Sequence, residues 1–187
     1  MNNIITMFVD YWTAMTPYQI ITQLVGYVAL VLAMISFQMK KRSHLMAFQM
    51  SASLTFCIQL LMAGAITGGC LDFISFIRTI IFSMNDKYKW AKSPLWFVFF
   101  VLALVVVGII TWGGWISICA ILGAVFSTIA LWMKDAKKVR LISLLVAPCW
   151  IIYNIYYGTW AGVINELIAT TSIIIGIIRL DLKKNEQ

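Results

Sequence analysis

Two carboxylates, Asp72 and Glu166, stand inside otherwise apolar stretches, 94 residues apart (166 − 72 = 94). Each closes the same pattern, Gly64-x-x-x-Gly68-x-x-x-Asp72 and Gly158-x-x-x-Gly162-x-x-x-Glu166. An ionisable group inside a membrane span costs from about 2.5 to over 10 kcal/mol at the centre, and it usually marks a function or a paired interior site. Two facing carboxylates could share a proton or hold a cation, which suits coupled transport. The plainer reading puts each acid near a helix N-terminus, where the dipole favours negative charge and water is close. Both readings stand at this point.

Arg78 follows Asp72 by six residues, about 240° round a helix, so the two do not share a face. It either snorkels toward the cytoplasmic side or faces a central cavity and binds an anionic group. Trp150, Tyr153 and Asn154 lie beside Pro148. A proline inside a helix frees a backbone carbonyl and makes a hinge candidate. An aromatic ring near an amide suits a polar ligand with an apolar face. Interhelical packing and hydrogen bonding is the competing reading. Asn165, Gln38 and Gln59 complete the polar candidates for substrate binding or coupling.

Other chemistry is poorly served. The cysteines Cys57, Cys70, Cys119 and Cys149 form no CxxC pair, and His44 is the sole histidine. No metal site or cofactor is expected. No nucleophile–base pair is visible, so an enzyme is not expected. Cys70 and Cys119 fall near the same side of the chain's apolar segments. A disulfide between them and simple apolar packing are both open.

The elements that must position these residues follow from composition. The chain has 187 residues, 62% hydrophobic and 11% charged, with a mean hydropathy of +0.92. A soluble domain of this length cannot hide that much apolar surface. Every lysine and arginine except Arg78 lies in one of four stretches: Lys40-Lys41-Arg42, Lys87/Lys89/Lys92, Lys134/Lys137/Lys138/Arg140, and Arg179/Lys183/Lys184. Positive charge stays cytoplasmic during insertion. The connections around 64–69, 112–114 and 158–161 carry no charge and read as external turns. The net charge of +7 is thus explained by topology and anionic headgroups, and nucleic acid is not an expected partner.

A span needs about 20 apolar residues. Seven are predicted, over about 19–38, 45–65, 69–84, 94–111, 114–133, 141–157 and 161–179. Residues 1–17 lack the basic and small-residue features of a signal peptide; with Asp10, Trp12 and Tyr18 they read as an interfacial segment. The N-terminus is predicted outside and the C-terminus cytoplasmic. Trp90, Trp96, Trp112, Trp115 and Trp160 sit at span ends as interfacial anchors. Gly64, Gly68, Gly158 and Gly162 read as turn residues rather than close-packing contacts.

The 94-residue offset extends beyond the acids. Ser36-Phe37-Gln38-Met39-Lys40 lies over Ala130-Leu131-Trp132-Met133-Lys134, and Phe56 lies over Trp150. Three spans flip the chain across the membrane, and one linking span restores its orientation for a second triple. The expected fold is therefore all-α: seven transmembrane helices forming two parallel three-helix bundles joined by a linking helix, in a 3+1+3 order. The predicted organisation is an external or interfacial segment (1–18), a first repeat (19–84), a cytoplasmic loop and linking helix (85–111), a second repeat (114–179) and a cytoplasmic tail (180–187).

The segment Trp150-Ile151-Ile152-Tyr153-Asn154, with Gly158-Thr159, Gly162, Glu166 and Ile177-Ile178-Arg179, resembles the YgjV-type bacterial inner-membrane proteins. So do Ser36-Phe37-Gln38-Met39-Lys40 and Ile77-Arg78-Thr79, and the resemblance covers residues 20–180. It implies a distant similarity to SWEET, PQ-loop and PnuC proteins, which move sugars, amino acids or vitamin precursors. Phe37-Gln38 falls where the PQ-loop family has Pro-Gln, and Trp150-x-x-Tyr153 is similar to its Trp-x-x-Tyr-Gly. Asn165 resembles the asparagine lining SWEET substrate sites. The chain departs at Phe37, at Leu131-Trp132, and in having only Pro148 where SWEET proteins carry prolines in four gating helices.

The expectation is a bacterial inner-membrane transporter of a small polar solute, with a cavity between spans 1, 2, 5 and 6 and with acids or Arg78 supplied by spans 3 and 7. Its partners are the bilayer and the solute, and a homo-oligomer is compatible with the sequence. A non-transporting receptor or assembly factor on the same scaffold is the alternative; long loops or tails would mark it.

Overall fold

In the computed structural model, residues 13–39, 42–84, 88–133 and 135–178 are described. Among them are seven α-helices and no strand: α1 (Pro17–Gln38), α2 (Arg42–Met62), α3 (Ile66–Ser83), α4 (Pro94–Ile110), α5 (Ser117–Trp132), α6 (Ala136–Tyr156) and α7 (Trp160–Gly176), with a 3₁₀ turn over Lys89–Lys92 before α4. Each helix occupies one predicted span. Lys40, Lys41, Lys87 and Lys134, residues 1–12 and the C-terminal segment from Arg179 lie outside the described residues.

Local chemistry starts the helices. Thr16 and Gln19 form a reciprocal capping box across Pro17 at the start of α1, which satisfies two otherwise orphaned donors. Ser93 caps α4 ahead of Pro94. Asp135 accepts from the backbone N–H of Lys137 at 2.9 Å, so α6 begins five residues earlier than hydropathy predicts. The basic residues Lys137, Lys138 and Arg140 therefore ride on its first turns.

The helices over Pro17–Ser36, Ile66–Ser83 and Lys137–Tyr156 are long and apolar enough to cross a membrane. The other four carry shorter apolar runs, with 16 residues in α5 and 17 in α4 and α7. At 1.5 Å per residue these reach about 24–26 Å, a little under a hydrocarbon core of about 30 Å.

α2 packs between α1 and α3, and α6 packs between α5 and α7. The two halves meet where α1 touches α7 and where α3 touches α5, while α4 lies against α3 and α5. In α4, Phe100, Leu104 and Gly108 are buried at fourfold spacing, and Leu95, Leu102 and Ile109 are exposed at sevenfold spacing. One face thus meets the protein and the other presents apolar side chains outward. The central cluster includes Leu60, Leu71, Leu104, Ile116, Trp150 and Tyr153.

The two halves have matching joints. The limits of α2 and α6 differ by 94 at both ends (136 − 42 and 156 − 62). Gly64 and Gly158, also 94 apart, are both in the left-handed region, with φ of 76° and 66°. That region favours glycine. At the first turn Ala65 N donates to Leu60 O; at the second Thr159 N donates to Asn154 O, each at 2.9 Å. Gly68 and Gly162 do not serve the turns, contrary to expectation. They lie within α3 and α7, and a Cβ there would stand 2.4 Å from Tyr153 and from Asn154 respectively. They are close-packing positions.

Candidate functional site

A cavity of about 330 Å³ lies among α1, α2, α6 and α7, with Asp72 of α3 at its wall. It runs from Asp72, Asn154, Asn165 and Glu166 to Ser36 of α1 and Gln49 of α2. Met34 and Ile168 on its wall are 49% and 40% exposed. Helix α5 contributes no lining residue, which corrects the expected placement among spans 1, 2, 5 and 6. The reason lies in Arg78, which fills the interface between α3 and α5.

Asp72 and Glu166 meet at this cavity, near enough to interact electrostatically. Each lies six residues past the first residue of its helix, about 9 Å along the axis. That is beyond the first turn, where the dipole effect is concentrated. The Asn165 side chain engages the Glu166 carboxyl. Phe56 and Trp150, the aromatic pair at the same 94-residue offset, also line the cavity.

Asn154 is held rigidly. Its Nδ2 donates to Trp150 O at 2.8 Å, its Oδ1 accepts from Thr159 Oγ1 at 2.5 Å, and Gly162 leaves room for the amide. Tyr153 is fully buried and does not line the cavity. Its hydroxyl accepts from Gly68 N at 2.8 Å. Because α3 has no side-chain cap of its own, this hydroxyl satisfies one of the helix's orphaned N–H groups.

Arg78 neither snorkels nor faces the cavity. It is 3% exposed and crosses to α5, where Nη1 donates to Ser127 Oγ at 3.0 Å, Ala124 O at 3.3 Å and Thr128 Oγ1. These contacts fasten α3 to α5 and fill the interface there. The positions 94 residues before Ala124, Ser127 and Thr128 are Leu30, Ala33 and Met34, and these three line the open cavity. The position 94 residues after Arg78 is Ser172, too short to make the equivalent crossing.

Gln59 is buried against Gly26 of α1 with its Nε2 unpartnered, and it does not line the cavity. Pro148 is exposed within an uninterrupted α6. The Gln38 side chain lies outside the described residues. All four cysteines are free, so the disulfide reading of Cys70 and Cys119 gives way to packing.

Three polar contacts escaped the sequence reading. Gln23 Nε2 of α1 donates to Gly158 O at 2.5 Å, joining the two halves at the end of the molecule that holds the Gly64 and Gly158 turns. Thr67 of α3 and Ser117 of α5 are hydrogen-bonded at 3.2 Å near the same end. The third is Thr128 beneath Arg78. Gln23 carried the same signal as Gln59, an amide in an apolar run. A threonine or serine in a span carries none, because it satisfies itself on the preceding turn. A second cavity, of about 560 Å³, lies beyond Gln23 and is bordered by Tyr18, Gly64, Tyr157 and Gly158.

The family model of the Imp-YgjV bacterial inner membrane proteins matches residues 20–184, and the chain belongs to that family. No curated protein matches it. No solved structure matches it either.

Proposed function

We propose that this inner membrane protein carries a small polar solute across the membrane by alternating access. All seven helices span, in a 3+1+3 order akin to SWEET and PQ-loop proteins, with α1–α3 and α5–α7 as parallel bundles and α4 as the linker. The N-terminus is external and the C-terminus cytoplasmic. The matching limits of α2 and α6 and the matching glycine turns support the two-repeat reading.

The observation that carries the transport reading is the central cavity with one acid from each repeat on its wall. A structural protein has little reason to hold two carboxylates at an internal void, since such groups are expensive away from water. The bonds at the turn end favour a carrier further. Gln23–Gly158 and Thr67–Ser117 close that end, while the cavity extends the other way toward Ser36 and Gln49. By the charge rule this is a state closed outside and accessible from the cytoplasmic half.

The test is a thermal-shift screen of the purified protein against sugars, amino acids, nucleosides and vitamin precursors, followed by exchange of each hit in proteoliposomes. A stabilising ligand binds the folded state preferentially. Exchange abolished by Glu166→Gln in normally folded protein supports transport. A hit that binds but never crosses sinks it and returns the scaffold to a receptor role.

A further inference from the structure

We propose that the central cavity selects a small organic cation: a protonated amine or quaternary ammonium group on a compact apolar body. The inference deepens the transport reading and rests on it for passage, though not for binding. Three features of the cavity wall converge on this chemistry.

The first is charge. Asp72 and Glu166 both reach the cavity, and among the described residues no lysine, arginine or histidine lines it. Arg78, on the same helix as Asp72, donates its hydrogen bonds to Ala124, Ser127 and Thr128 of α5. Arg78 is near enough to Asp72 to offset part of one charge, but two carboxylates face the void, and the remaining negative charge favours a positively charged guest and repels a carboxylate or phosphate. A zwitterion would bring its own anion with no cationic partner among the described lining residues.

The second is the aromatic pair. Phe56 of α2 and Trp150 of α6 both line the cavity. A cation held against such rings gains about 0.5–2 kcal/mol, most at Trp and when desolvated. The third is size and coating. The volume of about 330 Å³ is near ten times the roughly 30 Å³ share of one water. Leu30, Met34 and Ile168 supply apolar wall. Among the described residues there is no group of three or more His, Cys, Asp or Glu side chains that could hold a metal ion. An organic ammonium ion uses the acids, the rings and the apolar wall together, whereas a bare metal ion uses only the acids.

The experiment is thermal shift and calorimetric titration of the full chain with n-butylammonium and tetramethylammonium chlorides. Butan-1-ol, sodium butyrate, KCl and MgCl₂ are the controls. Both ammonium ions are expected to raise Tm by about 3 °C or more at saturation, with the controls flat. Asp72→Asn and Glu166→Gln each weaken binding tenfold or more. Phe56→Leu keeps both acids and weakens tetramethylammonium severalfold, so it tests the site even if an acid variant fails to fold.

Equal stabilisation by butanol, butyrate or inorganic cations overturns the proposal, as does ammonium binding that survives the double acid variant. Proteoliposomes separate the two readings. Ammonium binding without flux removes transport and leaves the cation site. Flux of a neutral or anionic solute that ammonium ions do not compete with removes the cation site and leaves transport.

Discussion

Arg78 on α3 donates to the hydroxyl of Thr128 on α5, whereas Met34, the residue 94 positions before Thr128, stands on the wall of the central cavity. One arginine thus makes two similar halves unequal. Where α3 meets α5, a guanidinium occupies the interface. Where α7 meets α1, the position 94 residues on from Arg78 is Ser172, which is exposed and does not reach the cavity, and the space stays open. The cavity is one-sided because the filling side chain occurs once.

This tie predicts a stability effect. Ser127 and Thr128 each also bond to Ala124 O, at 2.9 and 2.8 Å, so they are not stranded when Arg78 is removed. Arg78→Ala is nevertheless expected to cost about 2–4 kcal/mol, through the lost charged hydrogen bonds and the void left behind. Arg78→Lys is expected to cost less, because an ammonium group keeps one or two of the bonds. Thermal unfolding in detergent checks both, and an unchanged midpoint for Arg78→Ala would remove the tie from the account.

Tyr153 predicts a second effect, at the start of α3. Its hydroxyl satisfies Gly68 N, a donor with no intrahelical acceptor. Tyr153→Phe removes only that oxygen and is expected to cost about 1–2 kcal/mol. Gly68→Ala drives a methyl to 2.4 Å from the ring, and overpacking of this kind costs about 1–3 kcal/mol. Because both changes act on one contact, the double variant is expected to fall short of their sum. Strict additivity in unfolding midpoints would mean the two residues do not act on each other.

How far these features could be read in advance depended on how local their cause is. The seven helices follow from apolar runs bounded by charge, and the turns at Gly64 and Gly158 from glycine between runs. Asp72 and Glu166 stood out because acids are rare in such runs, and their shared offset paired them. The destination of Arg78 was not legible. Its angular separation from Asp72 argued against that acid, yet the two are near enough to interact electrostatically, and choosing Ala124, Ser127 and Thr128 requires knowing that α3 lies against α5. Tyr153 was likewise legible as a buried aromatic, while its duty as a cap depends on how closely Gly68 lets α6 approach α3. Asp135 was a missed local signal: it starts α6 ahead of the apolar run.

Charge placement predicts the orientation of the ends. Fusions of a cytoplasm-active and a periplasm-active reporter to each terminus are expected to place the N-terminus outside and the C-terminus inside. Both ends on one side would break the seven-span reading and require one of the shorter helices, α4, α5 or α7, to lie out of the membrane.

The bond between Gln23 and Gly158 predicts a gate. It joins α1 to the α6–α7 turn across the two halves, and the other oxygen-bearing end of the same amide, Oε1, is buried without a partner. An amide half-satisfied in this way holds the closed state weakly enough to release. Gln23→Leu removes the bond and leaves the apolar packing. A net loss of about 1 kcal/mol shifts a two-state equilibrium about fivefold. The readout is a single cysteine at Asn165, on the cavity wall, in a chain whose Cys57, Cys70, Cys119 and Cys149 are replaced. An impermeant maleimide added outside is expected to label Asn165→Cys slowly in the parent and about fivefold faster with Gln23→Leu. Equal rates in both would show that external access is controlled elsewhere, with Thr67 and Ser117 the next pair to open, since they close the same end between α3 and α5.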